Sequence, residues 1–262
     1  MARVLSAIVL LPLLLAAVWL PPPATLAVAE AAALLAFIEY AGIARALGAK
    51  VPRTVVGVAV AAACAAPFYP AVPLAVVLMS ATIFVGAAAV ASGAPGAGVL
   101  RDVTASIFPL LYIALPLGAI AAVRAEAGRE AVLLLVVTLV ISDSAQYYTG
   151  RAFGRVPLAP AISPKKTREG AIGGVLFGTA AMTAGGLYVF PGASFLLLLL
   201  TAAAVVVLGI VGDLFESLLK RSAGVKDSSA LIPGHGGVLD RIDSWLFAGP
   251  VYYVFVRYLQ AG

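Results

Sequence analysis

The stretch KDSSALIPGHGGVLDRID, residues 226–243, gathers Lys226, Asp227, His235, Asp240, Arg241 and Asp243 around Gly234, Gly236 and Gly237. Each residue type suits one part of holding a polyphosphate. Carboxylates bind hard cations such as Mg2+. Lysine and arginine offset phosphate charge, arginine with a bidentate fork. Glycine lets backbone N–H groups come close to an anion. A loop with all three fits a Mg2+–polyphosphate ligand. It is not a Walker loop, because no GxxxxGK[ST] occurs in the chain. His235 is the only histidine and Cys64 the only cysteine, a donor set that does not suit zinc. His235 is either a proton-transfer group or a hydrogen-bonding residue of the loop.

Two further acids lie inside apolar runs. Asp143, Gln146, Tyr147 and Gly150 follow i, i+3, i+4, i+7 spacing, as do Asp213, Glu216, Ser217 and Lys220, so each set lines one helix face. Asp143 and Asp213 precede Gly150 and Lys220 by seven residues, about 10 Å below the end of each helix. An ionisable group at that depth costs about 3 kcal/mol unless paired or hydrated. The acids therefore either line a polar cleft, binding metal or orienting basic residues, or serve as ion pairs joining helices. Lys166 and Lys220 are candidate cleft partners, and Arg151 is a candidate structural partner of Asp143. Glu30 and Glu39 share a face of another apolar run, with no evident partner.

The elements that must position these groups are membrane helices. Hydrophobic residues make up 63% of the 262 and charged residues 11%, with mean hydropathy +1.08, far from a soluble composition. Apolar runs at 4–20, 24–45, 54–68, 71–91, 105–123, 130–150, 170–190, 193–219 and 243–260 predict an all-α polytopic membrane protein of about nine transmembrane helices, with a cytoplasm-facing polar cleft in its C-terminal half. The runs lack the period-2 alternation of a barrel. The first run reads as a span and not a cleaved signal peptide, since another span follows it. Cys64, within an apolar run, reads as a core or lipid-facing residue. With the N-terminus inside, all but Arg124, Arg129 and Arg257 of the 17 Lys and Arg face the cytoplasm. The net charge of +5 thus serves orientation and anionic head groups, not nucleic acid. Residues 1–123 form a helical scaffold that would carry lipid contacts or a homodimer interface. Residues 124–262 form the catalytic region, with cytoplasmic loops 151–169 and 220–242.

The stretch SLLKRSAGVKDSSALIPGHGGVLDRID, 217–243, resembles the signature of phosphatidate cytidylyltransferases, the CDP-diacylglycerol synthases. Ser217, Lys220, Arg221, Lys226, Asp227, His235, Gly236, Gly237, Asp240, Arg241 and Asp243 fill its pattern. Ser229 stands where many members have glycine. A second block, SDSAQYYTGRAFGRVPLAPAISPKKTREG at 142–170, is similar to another run of that family through Asp143, Ala145, Gly150, Arg151, Gly154, Pro160, Ser163, Pro164, Lys166, Thr167, Glu169 and Gly170. Gln146 and Arg168 depart from it, the latter where tryptophan is common.

The resemblance implies a reaction of CTP with phosphatidic acid to give CDP-diacylglycerol and pyrophosphate, in a bacterial inner membrane. It implies Mg2+, and room for a second cation, on Asp227 and Asp240, carboxylates expected to contribute little to helix packing. Asp213, Asp143 and Asp243 are then supporting or alternative ligands. Lys220, Arg221, Lys226 and Arg241 neutralise the phosphates. Ser163, Lys166, Thr167, Ser217, Gly236 and Gly237 contact nucleotide or lipid head group. An anionic-lipid transporter would also use buried acids, but transport does not require so dense a loop, and the halves show no repeat. The CDP-alcohol phosphotransferase motif DGxxAR…GxxxDxxxD is absent. A CTP-dependent lipid kinase of related architecture is the remaining alternative.

Overall fold

A computed structural model describes residues 16, 18–93, 95–229, 231 and 236–261. His235 and most of the first apolar run lie outside the described residues. The helices are α1 (Pro22–Ala46), α2 (Arg53–Ala65), α3 (Leu74–Ala91), α4 (Val99–Pro109), a π-helical turn at Leu110–Ala114, α5 (Leu115–Phe153), α6 (Arg168–Val189), α7 (Phe195–Ser222) and α8 (Leu239–Ala261). Two short antiparallel strands, β1 (Pro157–Ala159) and β2 (Ser163–Thr167), lie between α5 and α6. The all-α class holds, with this hairpin inside the predicted 151–169 loop.

Five helical runs among the described residues are long and apolar enough to cross a membrane: Pro22–Ala46, Leu74–Ala91, Val99–Phe153, Arg168–Val189 and Phe195–Ser222. The difference from nine has physical reasons. The segment at 54–68 forms only the 13-residue α2. The segments at 105–123 and 130–150 share one 55-residue helical run. A straight helix of that length would measure about 80 Å, against a hydrocarbon core of about 30 Å. The run is broken where Gly128 takes φ +87° and ψ −178°, beside Arg124, Glu126 and Arg129. The last helix, α8, begins with Asp240, Arg241 and Asp243, too polar a start for an apolar span.

The chain forms two compact units: residues through Ala125 with Leu219–Ile242, and Glu126–Leu218 with Asp243–Gly262. In the first, α1 packs on α2, and Gly118 lies so near the Cys64 carbonyl that a Cβ there would collide with it. Cys64 is fully buried in this core. Tyr40 donates to the Ala105 carbonyl at 2.9 Å and lies against Phe108. In the second unit, glycines on α6 bring it close to the second half of α5. A Cβ on Gly173 would strike Thr149, one on Gly174 would strike Gln146, and one on Gly178 would come within 2.9 Å of Ser142 Cβ.

Candidate active site

The second unit gathers Asp143 from α5, Lys166 from β2, Asp213 from α7 and Asp243 from α8. Lys166 Nζ donates to Asp213 Oδ2, with both side chains partly exposed. Asp143 and Asp243 interact electrostatically with Asp213, with Lys166 and with each other. Asp143 also accepts a hydrogen bond from Gln146 Nε2 at 3.0 Å. The expected partner Arg151 instead directs Nη1 to the Tyr147 hydroxyl at 3.5 Å.

Local packing explains the convergence. Gly212 lets α7 meet α8, since a Cβ there would lie 2.5 Å from the Asp243 carbonyl oxygen. Thr167 ends β2 and caps α6, its Oγ1 accepting from Gly170 N at 3.1 Å. Glu169 Oε2 accepts from the Arg155 and Val156 amides at 3.1 and 3.3 Å. Cap and tether fix the hairpin that carries Lys166. Thr167 and Glu169 therefore have structural work to do, and Ser163 is half-buried at the start of β2.

The first unit holds a separate polar cluster. Lys220 Nζ donates to Asp240 Oδ1, both side chains being buried. Asp240 Oδ2 accepts from Ser228 N at 3.0 Å, Ser228 Oγ at 2.8 Å and Gly237 N at 2.7 Å. Burial alone would push the Asp240 carboxyl up. Hydrogen bonds from Lys220, Gly237 and Ser228, with the Lys220 charge, outweigh burial and hold it below the usual carboxylate range. The expectation that Asp240 contributes little to packing is thus corrected: it organises its loop. Gly236 has φ +80°, and a Cβ on it would lie 2.7 Å from Asp240 Oδ2, so only glycine fits. The Gly237 N–H donates to Asp240.

Of Glu30 and Glu39, which the sequence left without a partner, Glu39 has clear ones. Its carboxylate accepts from Ser228 Oγ (2.9 Å), Ser229 Oγ (2.6 Å), Val238 N (2.9 Å) and Leu239 N (2.8 Å). The available signal was an acid inside an apolar run; what it meets lies about 190–200 residues away. Lys226, Asp227 and Arg241 are exposed, Ser217 is half-buried, and Arg221 Nη1 donates to the Val225 carbonyl at 3.1 Å.

Among the described residues, no three His, Cys, Asp or Glu side chains already stand as a metal cage. Asp143, Asp213 and Asp243 nevertheless offer the oxygen donors that a hard divalent cation takes, and Lys166 is hydrogen-bonded to Asp213.

A model of the cytidylyltransferase family matches residues 1–259. The chain belongs to the cytidylyltransferase family. Proteins named phosphatidate cytidylyltransferase are similar to this family member. The one from Thermotoga maritima is 35% identical over 197 residues, covering 73% of this chain and 71% of the relative. The one from Helicobacter pylori is 39% identical over 155 residues, 59% of this chain and 58% of the relative. The one from Pseudomonas aeruginosa is 46% identical over 123 residues, 46% of this chain and 45% of the relative. The chain thus spans between about half and 71% of the length of these curated relatives.

Proposed function

We propose that this chain transfers a cytidylyl group from CTP to phosphatidate, forming CDP-diacylglycerol and pyrophosphate. Family membership and the names of its relatives support this reading. One structural observation carries it: the two sequence blocks, 142–170 and 217–243, contribute Asp143, Lys166 and Asp243 to a single charged cluster, joined by Asp213. Carboxylates that share the field of one lysine suit a metal–triphosphate.

An oxygen of the lipid phosphate attacks the α-phosphorus of CTP. That P–O bond forms as the bond from the α-phosphorus to the oxygen bridging to the β-phosphate breaks, and pyrophosphate leaves. The nucleophile is already anionic, so no side chain has to take a proton. The barrier lies in bringing two anions together and in charge growing on the leaving group. Asp143, Asp213 and Asp243 would hold Mg2+, which when bound would screen the phosphate charges and stabilise the leaving group. Lys166 orients Asp213 and offsets phosphate charge. Lys226 and Arg241 are exposed, and their positive charge suits phosphate groups.

The membrane reading completes the proposal. Under this reading the break at Gly128 divides the long helical run into two spans. The short α2, the more polar α8 and the first apolar run bring the count to nine, α2 and α8 crossing only with the help of neighbouring helices. Loops 151–169 and 220–242 then face the cytoplasm of a bacterial inner membrane, where CTP is supplied. Purified protein given CTP, Mg2+ and phosphatidate is expected to release pyrophosphate and CDP-lipid in equal amounts. Release of CDP with a further-phosphorylated lipid would establish the lipid-kinase alternative instead.

A further inference from the structure

We infer that Glu39 is a positioning residue: from α1 it clasps the start of α8 and the Ser228–Ser229 pair, and so fixes where Asp240 stands. The four N-terminal amides of a helix have no acceptor within it. The best N-cap residues are Ser, Thr, Asp and Asn. Before α8 the chain offers Val238, whose side chain can accept nothing. Glu39 supplies the missing cap from a different helix, one oxygen to Val238 N and the other to Leu239 N. A carboxylate there also meets the positive end of the α8 dipole.

The same two oxygens reach the loop. Oε1 takes the Ser229 hydroxyl and Oε2 the Ser228 hydroxyl. Ser228 Oγ also lies 2.8 Å from Asp240 Oδ2, so its one proton is shared between two carboxylates. Gly237 sits between them: a Cβ there would collide with Glu39 Oε2 and Ser228 Oγ. The second glycine of the HGG stretch is therefore required by the close approach of Ser228 and Glu39. Glu39 is 5% exposed, and an acid inside an apolar helix is costly unless its partners are assured. Four donors at 2.6–2.9 Å are those partners.

The consequence for turnover rests on the nucleotidyl-transfer reading above; the clasp itself does not. Hydrogen exchange at the Val238 and Leu239 amides, measured on the full-length protein in detergent, reads the clasp directly. Glu39→Gln replaces one acceptor oxygen with an NH2 that faces other donors. These two amides are expected to exchange roughly tenfold faster or more, with the rest of α1 unchanged. In the same preparation kcat is expected to fall roughly tenfold or more, with KM for CTP changing less. Unchanged protection of the two amides would overturn the clasp. Faster exchange with unchanged kcat would overturn its positioning role. Should Glu39→Gln fail to insert, Glu39→Asp keeps the charge but withdraws the carboxylate, and the same two readings apply. Wild-type turnover of CTP and phosphatidate judges the proposed reaction separately, since the exchange measurement needs no activity.

Discussion

Asp213, Asp240 and Asp227 carry the same carboxylate in three surroundings, and their substitution should separate accordingly. Asp213 is partly exposed and shares its charge with Lys166. Asp213→Asn keeps the shape and removes the charge, so specific activity should fall roughly a hundredfold while the melting temperature stays near wild type. A lowered melting temperature with unchanged specific activity would make the pair a helix tie. Asp240 is different, because Asp240→Ala leaves Lys220 buried without its carboxylate. Breaking such a pair costs about 3–5 kcal/mol, so this variant should lose stability and activity together, whereas exposed Asp227→Ala should lose activity alone. The sign with pH follows. The folded Asp240 carboxyl titrates below its unfolded value, so its contribution is complete above the ordinary aspartate pKa. It is lost as pH falls through the lowered folded value. Melting temperature measured from pH 7 downward should drop more steeply for wild type than for Asp240→Asn.

Helices bring these side chains together at a few close approaches. Gly212 is the clearest, because its Cβ would lie 2.5 Å from a backbone oxygen of α8, which cannot rotate away. Gly212→Ala should cost about 1–3 kcal/mol by overpacking and lower activity by parting Asp213 from Asp243. A variant with wild-type melting temperature and turnover would show the contact to be loose. The apolar runs, and the acids standing within them, were legible from composition and spacing; Lys166 was one of two candidate partners for those acids, and the structure pairs it with Asp213. Three things were not legible. The hairpin at 157–167 is only three and five residues long and carries no strand periodicity. The conformation of the break between the runs at 105–123 and 130–150, Gly128 at φ +87°, was not legible, although the polar residues around it marked its place. The role of Glu39 depends on partners almost the whole chain away, which no local pattern contains. Ser229, a departure from the family pattern, is one of those partners. Ser229→Gly removes one of four donors and should be the mildest change in the cluster.

For the molecule as a whole, the account commits to one orientation in the membrane. Leu231 is exposed in the loop before α8, and Gly192, also exposed, lies between α6 and α7. The proposed orientation, argued from the skew of Lys and Arg, would put the first inside and the second outside. In a Cys64→Ser background, Gly192→Cys should react with an impermeant thiol reagent on sealed cells, and Leu231→Cys should react only after permeabilisation. The reverse pattern would overturn the topology and remove the loop from the cytoplasmic CTP pool.

In the proposed reaction the bond broken joins the α-phosphorus of CTP to the oxygen bridging to its β-phosphate. Purified protein in phosphatidate-containing micelles with Mg2+ should be given CTP labelled at the α-phosphate and, in parallel, at the γ-phosphate. The account predicts that α-label enters the lipid fraction while γ-label leaves as pyrophosphate. Transfer of γ-label to the lipid, with α-label remaining in soluble CDP, would contradict it.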